Sequence, residues 1–164
     1  MKEDLKLSPE QHSFMAEAIE LARKNLKSFN GGPFGAVVVK DGVIVGKGSN
    51  CVTSNNDPTA HAEVVAIRDA CKNLNTFQLD GCEIYSSCEP CPMCLGAIYW
   101  ARPSKLFFAA GREDAAKAGF DDSYIYNQIP LSVEQRDLPT SQFMTAEAKS
   151  VFDSWVELEQ KIPY

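Results

Sequence analysis

Two short segments carry the residues with the most chemistry, Thr59-Ala60-His61-Ala62-Glu63 and Pro90-Cys91-Pro92-Met93-Cys94. Imidazole and thiolate are ligands that suit zinc, and a catalytic zinc takes three protein ligands and leaves its fourth position to water. His61, Cys91 and Cys94 match that number and those types. A Cys-x-x-Cys at a helix start lets two sulfurs converge on one Zn2+ ion, and the unpaired amides and dipole of the helix N-terminus favour thiolate over thiol. Two thiolates and a neutral imidazole balance a divalent ion, whose remaining water ionises far more readily than bulk water. Glu63 is the candidate general acid/base for such a hydrolysis. Residues two apart do not share a helix face, so Glu63 joins His61 in one pocket only if both stand at the very start of a helix.

The same residues have plainer readings. A Cys-x-x-Cys alone serves equally as a redox pair or as half of a structural zinc site. A structural zinc closes with a fourth Cys or His, and Cys88 is the only neighbour of that kind. The two halves fall at the starts of two separate predicted helices, each entered through a Pro-containing loop, and that conjunction favours an open, catalytic site.

Several elements are needed to bring the halves together. Ser8-Pro9-Glu10-Gln11 is a helix start with a Ser cap, Pro at the first helical position and Gln at the capping-box position. Phe14, Ala18, Leu21, Ala22 and Leu26 then follow helical spacing until Asn30-Gly31-Gly32-Pro33 breaks it. Phe34 to Val39 and Val43 to Gly46 read as two strands of a hairpin turning at Asp41-Gly42. A loop containing TSNNDPT leads to a helix over 60–74, a strand over 82–86, a helix over 91–101 ended by Pro103, and a strand over 105–110. The order α–β–β–α–β–α–β implies a layered α/β domain with a partly parallel sheet. Short helices are expected over 114–119 and 122–128, a connection over 129–141, and an amphipathic helix over 146–161. There is no internal repeat and no sign of a second domain, so 1–164 reads as a single domain.

Composition sets outer bounds. A chain of 164 residues with 45% apolar and 23% charged residues is the size and balance of one globular domain. The net charge of −6, with no Lys/Arg cluster, argues against a polynucleotide partner, which is held largely through phosphate contacts. No apolar run approaches the roughly 20 residues of a membrane span. The polar start MKEDLKLSPEQ lacks the apolar core of a secretory signal, so the expected address is cytoplasmic. Of the six cysteines, three crowd into 88–94, while Cys51, Cys71 and Cys82 read as small buried filler.

The pairing His-x-Glu … Pro-Cys-x-x-Cys is the signature of zinc nucleobase deaminases, and the chain resembles the cytidine-deaminase-like superfamily. Within it, GGPFGAVVVKDG, SNNDPTAHAEVVAIRDAC, SSCEPCPMCLGAIYWARP and AGFDDSYIYNQI, in that order, are similar to the small bacterial guanine deaminases. The resemblance spans nearly the whole chain. It implies a three-layer α-β-α fold around a central mixed five-stranded sheet, although only four strands are legible and a fifth would have to come from beyond residue 119. It also implies hydrolysis of guanine to xanthine and ammonia, with Glu63 carrying protons. Asp122, the second Asp of Gly119-Phe120-Asp121-Asp122, would recognise the base and relay a proton to the leaving amine. By the same resemblance Asn50 hydrogen-bonds the base and Phe34 and Trp100 line its pocket; in the hydrolysis so implied, backbone amides near Ala62 and Cys91 would orient the substrate carbonyl. A homodimer is implied too, with a C-terminal segment of about 129–164 exchanged between subunits and Tyr164 closing the partner's site. Plain alternatives stand beside these roles: Asp122 as a helix cap, Asn50 as a turn residue, Phe34 and Trp100 as core. The zinc signature is shared with tRNA adenosine deaminases and cytosine deaminases, so substrate is less defined than chemistry.

Overall fold

The first helix begins as its cap predicts. In the computed structural model, which describes residues 7–164, α1 runs Pro9–Ser28. The Gln11 N–H donates to Ser8 Oγ at 3.2 Å and the Ser8 N–H to Gln11 Oε1 at 2.9 Å, a reciprocal capping box. The polar stretch 1–6, part of the segment read for a targeting signal, lies outside the described residues. Among the described residues, no helix is long and apolar enough to cross a membrane.

Strands β1 (Gly35–Lys40) and β2 (Val43–Ser49) form the expected antiparallel hairpin. Asp41 and Gly42 both take positive φ, 50° and 76°, the requirement of the tight turn whose twist matches the strands. A short helix α2 (Val52–Asn55), inside what reads as a loop, precedes α3 (Ala62–Leu74). Then follow β3 (Glu83–Cys88), α4 (Pro92–Ala101), β4 (Lys105–Ala110) and α5 (Arg112–Lys117). The sheet order is β2-β1-β3-β4, with β1 antiparallel to β2 and β3, and β3 parallel to β4.

That order determines where the helices start. Because β2 and β3 are both antiparallel to β1, they point the same way and end at the same edge of the sheet. The segments leading into α3 and α4 both leave from that edge. The two helices pack on each other and on one sheet face, burying Ala36, Val38, Ile84, Ala66, Ala70 and Ile98. The other face carries α1, with Ala18, Val37, Val39 and Tyr85 buried between. The result is the three-layer α-β-α arrangement, alternating residues of β1 serving the two cores.

Among the described residues the sheet has four strands rather than five. After β4, Gly111 opens α5, its N–H donating to the Asp114 carboxylate at 3.1 Å, and Gly119 at φ 93° ends the turn. The run ArgGluAspAlaAlaLys has strong helix formers and no alternation, and the next segment becomes α6 (Ser123–Gln128). Nothing in the stretch has the pattern to extend the sheet.

By contacts the chain forms two units, one ending at Asp122 and one spanning Ser123–Tyr164. The second holds α6, a 3-10 turn at Val133–Gln135 and α7 (Thr145–Glu157), whose Val151, Phe152 and Val156 are exposed. Within it, Gln128 holds the connection through both ends of Asp137, at 2.8 and 3.1 Å.

Close approach sets the height of α3 above the sheet. A Cβ at Gly48 would lie 2.1 Å from the Ala62 carbonyl oxygen, and one at Gly46 would lie 2.5 Å from that of Ala66. Gly48→Ala is therefore expected to cost about 1–3 kcal/mol by overpacking. Gly96 on α4 is exposed, and a Cβ there meets nothing within 4 Å. Gly96→Ala should gain up to about 1 kcal/mol from helix propensity. Urea unfolding of the two variants measures both, and equal effects would contradict the close packing.

Candidate active site

His61 and Cys91 are not inside their helices but cap them. His61 is the N-cap of α3 (φ −70°, ψ 154°) and Cys91 the N-cap of α4 (φ −64°, ψ 168°), both extended, with Cys94 three positions on. The loop into His61 is ordered by Asp57 Oδ1, which accepts from the Thr59 N–H at 2.8 Å and the Thr59 hydroxyl at 2.7 Å. It is tied to the sheet side by the Cys51 N–H, which donates to the Ala60 carbonyl at 2.9 Å. The capping position also resolves the spacing problem of His61 and Glu63. An extended residue ahead of the helix is not bound by the helical period, so Glu63, in the first turn, can turn toward the same point.

The ligand atoms converge. His61 Nδ1 lies 3.6 Å from Cys91 Sγ and 3.4 Å from Cys94 Sγ, and all three atoms lie within 4.8 Å of one another. A tetrahedral zinc at its usual bond lengths separates a nitrogen and a sulfur ligand by about 3.6 Å. The donor set and its spacing therefore fit one zinc ion. Cys88 stays apart: its thiol faces the Gly111 carbonyl at 3.8 Å, and burial pushes it up to about 11.

Glu63 is 6% exposed and enclosed by named partners. The Ser86 hydroxyl donates to its Oε1 at 3.1 Å, and Cys94 Sγ is 3.4 Å from Oε2. Burial raises the carboxyl above the ordinary Glu range. The hydrogen bond with Cys94 pushes the Cys91 thiol down to about 4, while that bond and burial push Cys94 up. The bond to Cys91 raises His61. The cluster thus crowds two thiols and a carboxyl beside one imidazole, and the upward shifts of Cys94 and Glu63 mark negative charge that a divalent cation would relieve.

The remaining predicted residues are placed as follows. Ala62 is buried in the first turn of α3, and Asn50 is buried just after β2. Phe34 meets Phe120 edge to face at 4.9 Å and 84°. Asp122 is half-buried, its carboxyl raised by burial and then by the Cys91 charge. Trp100 stands at the far end of α4, eight residues or about 12 Å along the axis from Pro92, and is 65% exposed, outside the cluster. Tyr164 belongs to the unit Ser123–Tyr164, where it is 71% exposed. Ser86 has no marker of its own in the sequence, and Phe120 is marked only as part of Gly119-Phe120-Asp121-Asp122. The one hint for Ser86 is its alternation with Ile84 on β3, which puts it on the face toward α3.

Metal content tests the ligand set. Cys94→Ser is expected to lose most of the bound zinc, and Cys88→Ser to keep about one ion per chain. Zinc measured by plasma emission on purified protein decides, and equal retention by both would exclude the three-ligand site.

Residues 8–110 match the cytidine and deoxycytidylate deaminase zinc-binding region. The guanine deaminase of Bacillus subtilis is 55% identical over 152 residues, 93% of this chain and 97% of that protein. A crystal structure of Bacillus subtilis guanine deaminase superposes with a TM-score of 0.91 at 54% identity, covering 93% of this chain and 98% of that one. A tRNA-specific adenosine deaminase of Aquifex aeolicus is 50% identical over 78 residues, 48% of this chain and 52% of that protein. The zinc-ligand triad, the enclosed glutamate and this likeness agree, and the chain belongs to the zinc-binding cytidine and deoxycytidylate deaminase family, in the branch of the guanine deaminases.

Proposed function

We propose that this chain hydrolyses guanine to xanthine and ammonia, with His61, Cys91 and Cys94 holding one zinc ion. The observation that carries the reading is the likeness to a guanine deaminase over 93% of the chain, with the ligand triad inside it. When bound, zinc supplies the Lewis acidity that makes water nucleophilic near neutral pH. Glu63 takes the proton that water gives up and delivers it to ring N3, as the new C2–O bond forms. Burial raises its carboxyl above the ordinary Glu range, the direction that favours taking up a proton. The new C2 hydroxyl then gives its proton to Glu63, which with help from Asp122 passes it to the exocyclic amine; the C2–N bond breaks as the C2 carbonyl forms, and ammonia leaves.

The base is held by four further groups. Asn50 hydrogen-bonds it, the backbone N–H at Ala62 orients its carbonyl, and Phe34, backed by Phe120, covers one face. Holding the base within near-attack range of the nucleophile accounts for much of such a rate. Trp100 and Tyr164 complete the pocket in a homodimer, in which the segment 129–164 is exchanged between subunits and the whole chain forms one deaminase domain per site. Supporting this, α7 leaves Phe152, Val151 and Val156 exposed, and a helix of 13 residues is marginal without a partner surface. The six cysteines are all free thiols, which suits a reducing cytoplasmic compartment.

A free base rather than RNA is the favoured substrate, since the net charge of −6 offers little for phosphates. Ultraviolet absorbance should show purified zinc enzyme converting guanine to xanthine and leaving a tRNA anticodon stem-loop unchanged; inosine formed in the stem-loop with guanine untouched would reverse the assignment. Glu63→Gln is expected to lower kcat by about 10³-fold or more while zinc content holds, and retained turnover would remove Glu63 from the proton path. Ser86→Ala should lower kcat by about 10-fold, the scale of one hydrogen bond to a charged group, with KM little changed.

A further inference from the structure

Asn25 is a polar residue on α1, 4% exposed and 25 residues before Asn50. Its carboxamide is fully engaged. Nδ2 donates to the Gly32 carbonyl at 2.7 Å and to the Asn50 carbonyl at 2.9 Å, and Oδ1 accepts from the Ser28 hydroxyl at 3.2 Å. A side chain facing two carbonyls can only present nitrogen to them, so its orientation is determined by the network.

The loop it holds presents Asn50. Asn50 Oδ1 accepts from the Gly32 N–H at 3.1 Å and the Val52 N–H at 3.2 Å, and the Asn50 N–H donates to the Phe34 carbonyl at 3.1 Å. Both lone pairs of Oδ1 are thereby used. A flip of the Asn50 amide would set nitrogen against two N–H groups, so it is excluded. Among the described residues no buried side-chain nitrogen or oxygen lacks a partner. The Nδ2 of Asn50, which bonds to none of them, is therefore the part of this buried residue that reaches open space. Gly31 presses on the same group: a Cβ there would lie 2.3 Å from Asn50 Oδ1 and 2.5 Å from its carbonyl oxygen.

We infer that Asn25 is a positioning residue for substrate recognition: by tying the Gly32 and Asn50 carbonyls together it holds the Asn50 carboxamide nitrogen-outward, as a donor for an acceptor atom on the base. The inference rests on the proposed contact of Asn50 with the substrate. Asn25 touches no reacting atom. Its effect passes through Gly32, whose carbonyl it holds and whose N–H orients Asn50.

A double-mutant cycle on the zinc enzyme, with guanine as substrate, tests it. Asn25→Ala is expected to lower kcat/KM by about 10-fold or more, mainly through KM, as closely coupled neighbours do. In the Asn50→Ala background the same change should cost less than about 3-fold. Asn25→Ser, which keeps one donor, should fall between, and Asn50→Asp, which keeps the acceptor but cannot donate, should be at least as impaired as Asn50→Ala. Zinc content and thermal unfolding are read on every variant. Equal losses in both backgrounds would overturn the positioning role, as would Asn25 variants that fail to fold, since Asn25 would then serve the fold alone. An Asn50→Ala enzyme with wild-type KM and kcat would instead remove the substrate contact itself, a failure distinct from additivity in the cycle.

Discussion

Two helix N-termini aimed at one point are the constraint on which the rest depends. Strands β2 and β3 end at the same edge, so α3 and α4 begin there, and each delivers a metal ligand as its capping residue. Each helix end contributes about 0.3–1 kcal/mol toward a nearby anion, up to about 2 when partly buried. That is too little to keep two thiolates and the Glu63 carboxylate ionised together in a buried cluster, where charge without a counter-charge costs several kcal/mol. Burial accordingly raises the Glu63 carboxyl, and the bond to Cys91 together with burial raises Cys94. A divalent cation is the charge the cluster is built to take, and one that leaves Glu63 free to move protons.

Placing that point to the accuracy catalysis needs falls to the packing behind it. Ala62, Ala66 and Ala70 present a smooth face of α3 to Gly46 and Gly48 of β2, with backbone nearly touching backbone. Small residues on both sides leave no flexible side chain to absorb error, so α3 sits at one height. Glu63 and Ser86 then meet across that interface, from helix to sheet, at 3.1 Å. A larger residue at Gly48 would lift the helix start that carries both His61 and Glu63, and shifts of about 1 Å at such groups cost rate heavily.

Much of this was legible in the sequence where the signal is local. The capping box at Ser8, the Asp41-Gly42 turn and strand 105–110 are each specified by residues a few positions apart, and they form as read. The helices over 60–74 and 91–101 start one or two residues later than their apolar pattern suggests. That small difference is chemical, because it turns His61 and Cys91 into caps. The short α2 was hidden, since ValThrSerAsn has no apolar period and looks like turn residues. The expected fifth strand reflected the resemblance rather than any pattern in 111–128, which is helical. Ser86 and Asn25 were invisible for another reason. Their partners lie 23 and 25 residues away, and a serine on a strand or an asparagine on a helix carries no mark of what it will face.

The division between chemistry and recognition follows the chain. The zinc-binding region common to the family ends at Ala110; the ligand triad His61, Cys91 and Cys94 and the candidate proton carrier Glu63 lie before it, and Asp122 lies after it. Proteins that act on different nucleobases share that region, so it cannot by itself choose a base. In the proposed reaction, choice falls to the groups that would meet the ring: the Asn50 loop with its fixed carboxamide, the Phe34–Phe120 corner, and Asp122 at the end of the first unit. Two of these groups, Phe120 and Asp122, lie beyond the shared region. A buried donor fixed in place rejects a base that lacks the matching acceptor, because the donor is then left unpaired at a cost of about 1–3 kcal/mol. Specificity of that kind requires the donor to be unable to rotate away, which is why a residue as remote as Asn25 bears on the choice of base.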